Sequence, residues 1–138
     1  MKWERFVSPR GTVVCFRTEG NCLENVIWGH MDAPIAVRLQ REFDALRRAH
    51  GEFRGFHHWA NAPSYDTDYR QSWMDWLSDQ NGALVETHFL TSSRIVKMGL
   101  SVANIAYSQI RFGVHENEES YLRARAPYMT RAIIPKPG

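Results

Sequence analysis

Trp28-Gly29-His30-Met31-Asp32-Ala33-Pro34-Ile35-Ala36-Val37-Arg38-Leu39 passes from strand-like to helical sequence within a few residues. Asp32 occupies an N-cap position, where a carboxylate accepts N–H groups of the first turn, and Pro34 in that turn lacks an N–H that would need a partner. Beyond the cap, Ile35, Leu39, Phe43 and Leu46 recur at helical spacing on one face and turn Arg38, Arg41, Asp44 and Arg48 outward. The segment is a strand-to-helix joint, with the helix running from Asp32 to about His50.

Upstream, Gly11 to Thr18 and Cys22 to Trp28 are rich in Val, Ile, Phe and Trp and flank Glu19-Gly20-Asn21, which predicts a β-hairpin. Residues 4 to 8 add a short extended segment. Downstream, His50-Gly51 stops the helix and Phe53 to Trp59 reads as a strand, followed by a cluster of loop and cap residues over Asn61-Ala62-Pro63-Ser64-Tyr65-Asp66-Thr67. A second helix carries Tyr69, Trp73, Trp76 and Leu77 on one stripe and closes at Asn81-Gly82. Leu84 to Leu90 makes another strand, Thr91-Ser92-Ser93 caps a third helix bearing Ile95, Val96, Met98, Leu100 and Val102, and Gln109 to Val114 is extended again. Asn117 caps a last helix with Tyr121, Leu122 and Arg125 that ends near Pro127. A hairpin followed by strand-helix alternation predicts one α/β domain over residues 1–128, with a mixed sheet of about 4–5 strands, about 4 helices and parallel pairing in its later part. Residues 129–138, with Pro135 and Pro137, are expected to form an extended tail.

Composition sets the outer bounds. At 138 residues the chain is long enough for one real core. Its apolar runs fall well short of the roughly 20 residues needed to span a bilayer, and the N-terminal residues lead into no apolar signal core. The expectation is a cytoplasmic protein without a membrane span. The formal charge is only +2, and the basic residues of the first helix are interrupted by Glu42 and Asp44, which argues for a solvated face rather than a nucleic-acid surface. Cys15 and Cys22 are too few for a disulfide framework or a cysteine zinc site and read as reduced thiols.

The run Gly29-His30-Met31-Asp32 followed by a helical Ala and Leu resembles the first strand-to-helix passage of the STAS family, the sulphate transporter and anti-sigma factor antagonist domain. The element order matches over roughly residues 11 to 126. The resemblance implies a module that binds and switches rather than catalyses. In that family the loop before the second helix carries an Asp-Ser-x-Gly-Leu type motif whose serine is phosphorylated in the anti-sigma factor antagonists. Here Thr67, between Asp66 and Asp68, falls where that hydroxyl would be. Tyr69 replaces the glycine and Arg70 the following apolar residue. On this reading Ser64, Asp66, Thr67, Asp68 and Arg70 face a regulatory protein partner, while the plain physical alternative is that Asp66 or Thr67 only caps the helix.

The aromatic load, five Trp, five Tyr and seven Phe, supplies a second site. A stripe at helical spacing is ordinarily core, but small STAS-like proteins resembling the sporulation anti-anti-sigma factor are thought to carry nonpolar ligands between helix and sheet. Trp59, Tyr69, Trp73, Met74, Trp76 and Met98 are the expected lining of such a pocket. His57 and His58 are adjacent in a strand and point to opposite faces, so they cannot hold one ion; His58 with His88 remains the alternative pair, and neither metal nor cofactor is expected. No nucleophile elbow, phosphate-binding loop or dinucleotide fingerprint is present, so no catalytic residue is assigned. Two functions follow from these residues, a signalling module that binds a protein partner or a carrier or sensor of a small nonpolar ligand, with an unrecognised enzyme as the remaining alternative.

Overall fold

The computed structural model describes residues 3–130 and 134–136; residues 131–133 and 137–138 of the segment expected as a tail, Pro137 among them, lie outside the described residues. Among the described residues six strands form one sheet in the order β1(Glu4–Val7), β2(Val13–Glu19), β3(Cys22–Met31), β4(Phe53–Tyr65), β5(Leu84–Leu90) and β6(Arg111–His115). The first three pair antiparallel and the last three join β3 and one another in parallel. Helices α1(Ala33–His50), α2(Thr67–Ser78) and α3(Arg94–Ala106) make the crossovers, and α4(Glu118–Arg125) follows the last strand. The hairpin turns through Gly20 at φ 59°, a conformation glycine adopts without strain. The sheet has one strand more than the upper expected number because Glu4 to Val7 pairs with β2 along its whole length.

One local expectation is corrected. Strand β4 runs through most of the segment read as a loop, because β3 is 10 residues long and pairs His30 with Ser64 and Met31 with Tyr65. Register shifts between Val26 and His30 accommodate Ala62 and Pro63, and that part of β4 lies beyond its pairing with β5, where a proline costs no ladder bond. On α3 the buried residues are Val96, Leu100 and Ala103, while Ile95, Met98 and Val102 are exposed. The helix is apolar on nearly every side, so periodicity alone could not select its inner face.

The two faces of the sheet are covered differently. One face packs under α1, α2 and α3 around Leu23, Ile27, Leu39, Phe43, Phe53 and Phe89. The other carries α4 on a smaller cluster of Cys22, Phe56, Leu90, Tyr121 and Met129. Glu24, fully buried on that second face, accepts hydrogen bonds from Arg125 Nη1 at 2.6 Å, Tyr121 Oη at 2.8 Å and Arg17 Nε at 3.4 Å. One carboxylate thereby ties β2, β3 and α4 together. Arg17 continues to the Thr130 carbonyl at 2.7 Å, and Thr130 N donates to Glu19 at 2.9 Å, which holds the chain after α4 against β2. Because removing one member of a buried ion network strands the others in low dielectric, Glu24→Gln is expected to cost about 3–5 kcal/mol in urea unfolding. A loss below about 1 kcal/mol would show that the two arginines find water or other partners.

Candidate functional site

On the three-helix face, neighbouring strands place Asn25, His57 and Phe89 in register, with Thr87 two residues from Phe89 on the same side. Asn25 Nδ2 donates to His57 Nδ1 at 2.8 Å, and Asn25 Oδ1 accepts from Trp59 Nε1 at 2.9 Å. With Nδ1 an acceptor, a neutral His57 carries its proton on Nε2 and donates to Thr87 Oγ1 at 3.1 Å; the tautomer is assigned from this network. The imidazole stacks on Phe89 at 4.4 Å and meets Trp59 and Trp73 edge-on. Gly55 makes room for it, since a Cβ there would stand 2.9 Å from His57 Nε2 and 3.0 Å from the Phe43 ring. Burial lowers the His57 pKa to about 3. The ring is a neutral hydrogen-bonding floor.

Above this floor lies an apolar cavity of about 90 Å³ between α2, α3 and strands β4 to β6. Its walls are mainly aromatic: Trp59, Tyr69, Trp73, Trp76, Phe89 and Phe112, completed by Leu100 and Ala103 of α3. Trp73 and Trp76 meet at 85° and each packs against Phe43, while Trp76 Nε1 donates to Asp44 on α1 at 2.9 Å. These contacts hold α2 to α1. On the other side of the cavity Tyr107 Oη donates to the Met74 carbonyl at 3.2 Å, joining the end of α3 to α2. Of the pocket residues read from sequence, Trp59, Tyr69, Trp73, Met74 and Trp76 line the cavity together, and Met98 stands apart, exposed on the outer side of α3. Arg70, assigned in the sequence to the partner surface, contributes to the cavity rim as well.

The capping groups behave differently from one another. Asp32 flanks α1 as the pattern requires, yet its side chain makes no cap hydrogen bond and its Oδ1 is buried without a partner; the Asp32 carbonyl instead accepts from Ile35 and Ala36. Asp66 is the true side-chain cap of α2, accepting from Tyr69 N at 2.8 Å, and Arg10 approaches its other oxygen at 3.3 Å. Thr67, one residue later, is exposed in the first turn with Asp68 and Arg70 and caps nothing. Ser64 sits at the end of β4, 2.9 Å from His30 Nδ1.

The two cysteines are buried and free, and burial pushes the Cys22 thiol up to about 11, away from thiolate chemistry. His88 lies opposite Phe56 and His58 opposite Leu90, and among the described residues no three His, Cys, Asp or Glu side chains are grouped to hold a metal ion. No helix of the described residues is long and apolar enough to cross a membrane.

Among solved structures, the chain is similar to an uncharacterised protein of the DUF3478 family with a SpoIIAA-like fold from Shewanella loihica PV-4, at TM-score 0.60 and 8% identity over 82% of this chain and 92% of that one. It is also similar to the anti-sigma factor antagonist SpoIIAA in its unphosphorylated form, at TM-score 0.56 and 8% identity over 90% of this chain and 98% of that one. The fold is SpoIIAA-like. No protein-family model and no curated protein matches the sequence. The SpoIIAA-like, STAS-type architecture therefore rests on the arrangement of elements and not on shared residues.

The neutral floor of the cavity has a pH signature. Because the folded pKa of His57, about 3, lies below the ordinary 6.5, its neutral form is favoured by the fold; the resulting stability is complete above pH 6.5 and is lost as pH falls toward 3. Burial lowers His58 and His115 as well, in the same direction. His57→Gln is accordingly expected to flatten the loss of stability below pH 6.5 by about 1.4 kcal/mol per pH unit, measured by urea midpoints against wild type. Parallel pH profiles for the two proteins would mean that the His57 ring is not held neutral.

Proposed function

We propose that this SpoIIAA-like chain is a binding module that holds a small nonpolar ligand, or the nonpolar end of a larger one, in the aromatic cavity between α2, α3 and the sheet. The observation that carries this reading is the cavity itself, an apolar space of about 90 Å³, partly open to solvent and walled by large rings. Protein interiors ordinarily close such space, because every lining atom without a neighbour forfeits dispersion energy. A dry cavity of about 150 Å³ takes up benzene, so this one holds a smaller group as it stands and a whole ring after an outward swing of a rim side chain. Met74, unbranched and only partly buried, is the side chain suited to that movement. His57 supports the reading by being uncharged, which leaves the floor with no cation to attract a carboxylate.

A second reading has its own support in the exposure of Thr67, Asp68 and Arg70 in the first turn of α2, the helix that also forms a cavity wall. Here the Ser64 to Arg70 segment docks a regulatory protein partner, and phosphorylation of Thr67 weakens that docking by adding about two negative charges beside Asp66 and Asp68. The resemblance of the fold to an anti-sigma factor antagonist favours this as a companion to ligand binding, with α2 common to both.

Toluene serves as the probe for the first reading. Wild type is expected to bind it with saturable quenching of tryptophan fluorescence and a rise in melting temperature, and Ala103→Leu, which pushes extra carbons into the cavity, is expected to reduce the affinity at least tenfold. Unsaturable quenching, equal in both proteins, would rule the cavity out as a ligand site. For the second reading, Thr67→Glu is expected to lose a protein that wild type and Thr67→Ala both retain from native lysate, with melting unchanged in all three because Asp66 carries the cap. Identical partner sets would remove Thr67 as a switch.

A further inference from the structure

The opposite face of the sheet contains a line of four polar side chains that the binding reading does not use. Glu86 Oε2 lies 2.8 Å from His88 Nε2, His88 Nδ1 lies 2.9 Å from His115 Nε2, and His115 Nδ1 lies 2.6 Å from Ser120 Oγ. The chain runs from β5 across β6 to the first turn of α4. Three features hold it in place. Phe56 stacks on His88 at 5.6 Å with planes 3° apart. Arg54 Nε donates to the remaining Glu86 oxygen at 3.2 Å. At Gly113 a side chain would collide with His88 and lie 3.0 Å from His115 Nε2; the backbone there has ordinary φ, so the glycine is needed for space rather than conformation.

The directions of the hydrogen bonds follow from the acceptor at the inner end. Burial would raise the Glu86 pKa, but hydrogen bonds from His88, Tyr128 and Arg54 outweigh it and hold the carboxyl ionised, so Glu86 only accepts. In a neutral His88 the proton is then on Nε2, and the Nδ1 lone pair accepts from His115 Nε2–H; these tautomers are assigned from the hydrogen-bond network. Burial also lowers the His115 pKa, keeping that ring neutral with a free lone pair on Nδ1. The donor facing that lone pair is the Ser120 hydroxyl. A nucleophile bonded to a base that is itself oriented by a third group is the geometry that activates a serine. Glu86 and His88 are nearly buried while Ser120 is half-exposed, so the reactive end of the line is the one that a substrate can reach.

We propose that Ser120 is a nucleophile activated by His115, His88 and Glu86, accepting the acyl group of a small uncharged ester. In this step Ser120 Oγ forms a bond to the acyl carbon, the bond from that carbon to the leaving oxygen breaks, and the serine proton passes through His115 Nδ1 to the departing oxygen. An anionic acyl donor is disfavoured, because Glu116, Glu118 and Glu119 lie within four residues before the serine and would repel it. Asn117 accepts from Ser120 N at 2.9 Å and fixes the turn that presents the hydroxyl.

4-Nitrophenyl acetate is the probe, with peptide mass spectrometry of the intact chain after brief exposure. Acetyl is expected on Ser120 in preference to Lys97 or any other nucleophile, with nitrophenol release about a hundredfold faster than from Ser120→Ala, which leaves the His115 base with no hydroxyl to activate. His115→Gln, which can still hold the serine hydroxyl but cannot take its proton, is expected to lose most of that rate while its melting stays near wild type. Glu86→Gln should show a smaller loss, since it acts only by orienting His88. Acetylation spread over lysines, no adduct at Ser120, or a His115→Gln protein as reactive as wild type would each overturn the proposal.

Discussion

The three-helix face of this sheet depends on burying an imidazole without charging it. His57 stands in the middle of a hydrophobic layer, where a protonated ring would be costly, and its two nitrogens are satisfied by Asn25 on one side and Thr87 on the other. Satisfying the ring fixes its plane, and the plane decides what can pack around it: Phe89 stacks on one side while Trp59 and Trp73 present their edges. Large rings meeting edge-on over a flat, polar-satisfied floor do not close the space between α2 and α3, and the cavity remains.

The same sheet buries its polar groups in a second way on the face beneath α4. There the groups are ionic or proton-relaying, Glu24 with Arg17 and Arg125, and Glu86 with His88 and His115. A face covered by one short helix and a small apolar cluster has less hydrophobic area to offer, and directional bonds locate α4 in its place. This division of labour separates an apolar cavity from a polar relay by the thickness of one sheet.

Much of the fold could be read from the chain because its boundaries carry local chemistry. Asp32 and Pro34 mark one helix start and Gly20-Asn21 one hairpin, and these signals act within a few residues. The extension of β4 through Pro63 to Tyr65 was hidden, since it is decided by pairing with β3 across the sheet and overrides a turn-rich composition. The inward face of α3 was hidden for the opposite reason: too many of its residues are apolar for spacing to discriminate.

The cavity was legible in part. Trp73, Trp76 and Tyr69 share a helical stripe, and Trp59 belongs to the strand beside them, but Ala103, Phe112 and Leu100 enter only through the packing of α3 and β6. The polar floor left a signal that pattern reading could have used. Asn25 interrupts the apolar alternation Leu23, Ile27, and a polar residue on the inner face of adjacent strands calls for a partner there. Glu86-x-His88 has the spacing of same-face strand neighbours, whereas its continuation through His115 to Ser120 depends on β5–β6 register and on the space left at Gly113.

The cavity reading is tested most directly by the tryptophan indole N–H resonances in a ¹H–¹⁵N spectrum recorded during titration with a small aromatic hydrocarbon. The account predicts saturable shifts for Trp59, Trp73 and Trp76, which line the cavity, while Trp3 and Trp28, which face Arg17 and Arg5 outside it, keep their positions. Shifts of equal size at all five indoles, or none at any of them, would contradict it.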